Sequence, residues 1–155
     1  MKRWISLFLL FTMLLTLGGC VKGEVLTEPP RMSVFLGDQQ IPGRQSSYGW
    51  DYTTSKGNFS VMADGVHPLD SNAETYTTTE STATLRFGAE PKSISVKCWS
   101  ADLKASDDPP SIPCHLEGHQ LTLQNGSYVY SVHASWTEEC YSGRCSYTFK
   151  VNCIP

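Results

Sequence analysis

Tyr128-Val129-Tyr130-Ser131-Val132-His133-Ala134-Ser135-Trp136 and, after ten intervening residues, Tyr147-Thr148-Phe149-Lys150-Val151-Asn152-Cys153 are the stretches that decide the fold. In the first, Tyr128, Tyr130, Val132, Ala134 and Trp136 take every second position; in the second, Tyr147, Phe149, Val151 and Cys153 do. A period of two puts such side chains on one face of an extended strand, whereas a helix needs a period near 3.6. His133 has the opposite parity and is expected at the surface.

Outward from these runs the period persists. Met32, Val34 and Leu36 alternate, as do Tyr48, Trp50 and Tyr52, then Ala83, Leu85 and Phe87, then Ile94, Val96 and Cys98. Phe59 with Val61 and Leu121 with Leu123 form shorter pairs. Turn signals stand between them at Gly37-Asp38, Lys56-Gly57-Asn58, Ala63-Asp64-Gly65, Gly88, Glu117-Gly118, Asn125-Gly126 and Ser142-Gly143. No helix cap precedes an amphipathic run. The pattern predicts an all-β fold, an antiparallel immunoglobulin-like β-sandwich of about seven to nine strands. Val34, Val96, Val132, Trp136, Phe149 and Val151 are its expected core, with Trp50 and Trp99 adding bulk, although the parity of Trp99 opposes that of Cys98. Two stretches break the pattern. Residues 66–82 are polar and threonine-rich, readable as a long loop or an edge strand. Residues 101–113 contain Pro109-Pro110, which forbid a central strand and predict an extended surface loop.

The N-terminus carries a different signal. Lys2 and Arg3 precede an apolar run from Trp4 to Leu17, too short for a spanning helix and suited to a signal peptide. The run ends in Leu17-Gly18-Gly19-Cys20, which resembles the lipobox of bacterial lipoproteins. The resemblance implies cleavage before Cys20 and a diacylglyceryl group on its thiol. Acyl chains contribute about 0.8 kcal/mol per buried CH2, so two chains anchor stably where one does not. The expected organisation is a signal peptide at 1–19, a lipidated tether at 20–31 and the β-domain at 32–155. The expected location is the extracytoplasmic face of the cell membrane.

Loss of Lys2 and Arg3 leaves ten basic side chains against fifteen acidic ones, a net charge of −5. That balance, with no basic patch, excludes nucleic acid as a partner and leaves membrane attachment to the lipid.

Besides Cys20 the chain holds Cys98, Cys114, Cys140, Cys145 and Cys153. An oxidising compartment permits disulfides, but five thiols cannot all pair within one chain. Cys140 and Cys145 bracket Tyr-Ser-Gly-Arg and are expected to staple a hairpin mouth. Cys98 and Cys114 flank the proline loop and are the second expected pair. On loop-closure entropy the longer ring contributes ~3 kcal/mol and the short one ~2. Cys153, sharing a face with Phe149 and Val151, is then a buried free thiol. The rival pairing joins Cys98 to Cys153 and leaves Cys114 exposed.

Catalytic signals are absent from the sequence. There is no Gly-x-Ser-x-Gly elbow, and Asp107-Asp108 lie beside prolines in a loop. Cys114, His115 and His119 form the one ligand-like cluster, but a zinc site needs three or four convergent ligands. The expectation is therefore no metal and no cofactor beyond the covalent lipid. Tyr48, Trp50 and Tyr52 read as core more readily than as a sugar-stacking platform.

Pro29-Pro30-Arg31-Met32-Ser33-Val34 with Gly37, Ser47-Tyr48-Gly49-Trp50, the run from Gly126 to Trp136, and Tyr147-Thr148-Phe149-Lys150-Val151 together resemble small surface lipoproteins of Gram-positive bacteria. That resemblance implies a β-domain and no activity; the extra cysteines and the Pro109-Pro110 loop depart from it. Three functions follow as expectations. The first is a non-catalytic binding or structural module that touches an envelope or membrane protein. The second is an inhibitor or sensor accessory using Asp102–Ile112 as bait. The third is a metal-binding or redox envelope protein.

Overall fold

A computed structural model describes residues 25–155; Cys20 and the signal segment lie outside the described residues. The domain is all-β. Its strands are β1 (Met32–Leu36), β2 (Gln39–Thr54), β3 (Gly57–Ala63), β4 (Thr75–Thr78), β5 (Thr82–Phe87), β6 (Ser93–Ser100), β7 (Ile112–Pro113), β8 (Leu116–Glu117), β9 (Gln120–Thr122), β10 (Gly126–Thr137) and β11 (Tyr141–Cys153). The count exceeds the expected seven to nine because short edge pieces such as β7 and β8 carry no alternation of their own.

The sheet is curled, in the order β7-β6-β10-β11-β2-β1-β5-β9-β8, with β3 on β2 and β4 on β11. All pairings are antiparallel except that of β4 with β11. Strand β2 makes the curl. Residues 39–43 pair with β1, while residues 44–52 pair with β11, so one strand serves both layers. The layers close on a single core of Val34, Ile41, Trp50, Leu85, Leu121, Val132, Trp136, Tyr147, Phe149 and Val151, all at most 1% exposed. Burial of such side chains is worth about 1.5–3 kcal/mol each before entropy is counted. All six expected core residues are buried, and His133 is exposed.

Three readings need correction. Ser142-Gly143 is not a turn. The β10–β11 hairpin turns at Glu138–Cys140, closed by Glu138 N–H to the Tyr141 carbonyl at 2.8 Å. Phe59 and Val61 form the short alternating pair on β3, on its exposed side. Trp99 is buried, but on the outer face of β6 opposite Val129 of β10. Residues 66–74 lie over this face. His67 meets the Trp99 ring edge at 5.3 Å, and Lys150 Nζ donates to the Ser71 carbonyl at 2.6 Å. Lastly, the expected tether is partly domain. Pro29 and Pro30 are buried, Trp50 Nε1 donates to the Leu26 carbonyl at 2.8 Å, and the Tyr147 hydroxyl donates to the Pro30 carbonyl.

Candidate functional site

At the hairpin end of the domain, three aromatic rings line up across three strands. Tyr141 of β11 pairs with Tyr52 of β2, which pairs with Phe59 of β3. Cross-strand neighbours on one face lie about 5 Å apart. Tyr52 and Phe59 stack at 5.1 Å between centroids, and Tyr141 stacks on Trp50 at 5.4 Å. The hairpin turn folds beside this row, held by Thr53 N–H to the Cys140 carbonyl at 2.9 Å. The result is an open groove of about 390 Å³ lined by Asp51, Tyr52, Phe59, Glu138, Glu139 and Tyr141, among others.

The groove is electronegative. Asp51, Glu138 and Glu139 line it, and among the described residues no lysine or arginine does. Burial, and then the Glu138 charge, raise the Tyr141 phenol above its ordinary pKa. Carboxylates and ring faces together attract an organic cation, through ion pairing and through the negative face of each ring. The sequence reading missed this site. It took Tyr48, Trp50 and Tyr52 as one row, whereas Trp50 is core and Tyr52 belongs to the groove. The legible signal was Glu138-Glu139 next to Tyr141.

The expected site residues scatter. Cys140 sits in the hairpin turn and Cys145 inside β11, opposite Tyr48. Four extended steps from Tyr141 to Cys145 span about 13 Å at ~3.3 Å each. A disulfide needs Cα atoms within about 7 Å, so this strand cannot carry the expected staple. Cys145 is buried, its thiol pushed up to about 11 by desolvation, with a hydrogen bond to Tyr147 opposing. Cys153 is buried as expected, its thiol facing the Glu80 carbonyl at 3.3 Å. Cys98 and Cys114 come near each other, Cys98 on β6 and Cys114 just past the end of β7, as diagonal neighbours across that ladder.

Cys114, His115 and His119 do not converge. Gly118, at φ 57°, makes the expected bend between β8 and β9. His119 stands at that bend, 2.9 Å from Glu90, while His115 lies at the other end of the hairpin, opposite Thr122. No group of three metal-ligating side chains occurs among the described residues. Asp107 and Asp108 are exposed at the end of a short 3-10 turn, Ala105–Asp107.

No protein-family model, no curated protein and no solved structure matches the chain.

Proposed function

We propose that this chain is a membrane-anchored extracytoplasmic lipoprotein, held by acyl chains on Cys20, whose immunoglobulin-like β-domain is a non-catalytic binding module. The groove of Tyr52, Phe59, Tyr141, Asp51, Glu138 and Glu139 supports the binding part of this reading. Its chemistry suits a cationic segment of an envelope protein. The lipobox-like Leu17-Gly18-Gly19-Cys20 supports the anchor. With Val25–Arg31 packed on the domain, five residues would separate it from the bilayer, at most ~17 Å when extended.

Both parts can be tested in cells. Cys20→Ser removes the acyl acceptor, so palmitate labelling is expected to vanish; label persisting on the variant contradicts the anchor. A photocrosslinking residue placed at Phe59 is expected to yield a discrete protein adduct that the same residue at Lys92 does not. Identical patterns at the two positions contradict the groove reading.

A second reading has one favouring observation. The loop between β6 and β7 presents Leu103 at 43% exposed, Ile112 at 44% opens β7 at its end, and its base is held by Trp99 Nε1 to the Pro109 carbonyl at 3.1 Å. A held loop with apolar tips suits the inhibitor role, and stoichiometric inhibition of an added protease without cleavage in Asp102–Ile112 would favour it.

A further inference from the structure

The β6–β7 ladder pairs Lys97 with Pro113 and Cys98 with Ile112, and Cys114 N–H donates to the Val96 carbonyl at 3.1 Å. Cys98 and Cys114 therefore share a face as diagonal neighbours across the β6–β7 ladder. Cys98 is fully buried beside Tyr130, its register partner on β10, whereas Cys114 is half-exposed. The other thiols lie elsewhere in the fold. Cys153 pairs with Gly126, four residues along β10 from Tyr130 and on the far side of that strand. Two strand spacings and four residues separate Cys98 from Cys153 by roughly 16 Å, too far for the rival disulfide.

Between Cys98 and Cys114 runs the loop whose short turn Ala105–Asp107 faces the turn Pro68–Asp70 across a cleft of about 630 Å³, lined by His67, Leu69, Asp70, Leu103, Lys104 and Ala105. The loop's base is thin. Strand β7 has only two residues, both exposed.

We propose that Cys98 and Cys114 form an intrachain disulfide, made through Cys114 by exchange with an external organic disulfide, that closes this loop and fixes its wall of the cleft. The order of attack follows from exposure. The Cys114 thiolate attacks one sulfur of the external disulfide and releases one thiolate, leaving a mixed disulfide on Cys114. The Cys98 thiolate then attacks the Cys114 sulfur and releases the second thiolate. The two protons lost by the cysteines end on the two released thiols, so the pair is oxidised and the external disulfide is reduced. Desolvation holds both protein thiols above their ordinary pKa, so exchange is slow near neutrality and the bond, once made, persists.

The test uses the purified protein, first reduced and then incubated with oxidised glutathione. Peptide mapping is expected to find Cys98 linked to Cys114, with the loss of two hydrogen masses. Cys98→Ser is expected to trap glutathione on Cys114, and Cys114→Ser to leave Cys98 unmodified while folded. Near-ultraviolet circular dichroism checks that each variant keeps its packing; should either lose it, the mapping of the unaltered protein decides. Hydrogen exchange across 101–111 is expected to slow about tenfold on oxidation. A Cys98–Cys153 link, glutathione accumulating on Cys98 first, or a mixed disulfide that never resolves would overturn the pairing. Unchanged exchange across 101–111 would overturn the fixed wall.

Discussion

Trp50 and Trp136 meet edge to face at 5.5 Å across Gly143, which is the register partner of both. The glycine is the spacer of this row. A Cβ there would run into the Gly49 carbonyl oxygen and come within 2.6 Å of Trp50 Cε3. Neither backbone nor a fully buried indole can retreat cheaply. Gly143→Ala is expected to destabilise the domain by about 2–3 kcal/mol, read as a lower urea midpoint at unchanged slope. Ser142→Ala, one residue away, is expected to stay within about 0.5 kcal/mol.

The segment before β1 belongs to the fold. A chain starting at Met32 loses the acceptors for Trp50 Nε1 and the Tyr147 hydroxyl, and the latter is buried. An orphaned buried donor costs about 1–3 kcal/mol. Urea titrations of chains starting at Val25 and at Met32 are expected to differ by at least about 2 kcal/mol. Equal midpoints would mean that Leu26–Arg31 only drape the surface.

Thr148 carries the opposite kind of defect. Its hydroxyl oxygen is buried with no hydrogen-bond partner among the described residues. Valine has nearly the same shape without that oxygen. Thr148→Val is therefore expected to leave stability unchanged or raise it by up to about 1 kcal/mol, as thermal melts would read. A loss of more than that would reveal a partner for the hydroxyl.

Alkaline pH should unfold the domain early. The Cys145 thiol is raised from 9.0 to about 11 by burial, and burial also raises Cys98, Cys114, Tyr130 and Tyr147. Because each folded pKa exceeds the unfolded one, the unfolded chain sheds protons first as pH rises. The contribution of Cys145 is whole below pH 9 and is lost as pH rises through about 11. Its share is on the order of 2 kcal/mol. Urea midpoints measured across that window are expected to fall, and Cys145→Ala is expected to fall less steeply.

Much of this architecture can be read from residue order. The alternation in Tyr128–Trp136 and Tyr147–Cys153 predicts β10, β11 and the face each buries, because a half-covered strand leaves period two in its side chains. What escaped depends on contacts distant in sequence. Trp99 broke parity because residues 66–74, with no apolar period, cover the outer face of β6 and β10. Gly143 looked like punctuation, yet its lack of a side chain serves Trp50, more than ninety residues earlier. That misplaced turn also produced the Cys140–Cys145 staple, which a strand starting at Tyr141 does not permit. Only the Glu138-Glu139 edge of the groove was legible, because Phe59, Tyr52 and Tyr141 come together only through the pairing of three strands. Cys98 and Cys114, by contrast, flank one loop, and local chain return suffices to bring them together.

The anchor is the claim on which the proposed role rests, and one measurement reaches it directly. The protein is isolated from the membrane fraction of cells that make the full chain, digested, and its N-terminal peptide weighed by mass spectrometry. The account predicts that this peptide begins at Cys20 and carries a diacylglyceryl group on sulfur. An unmodified N-terminus at Cys20 or at any other residue would contradict it.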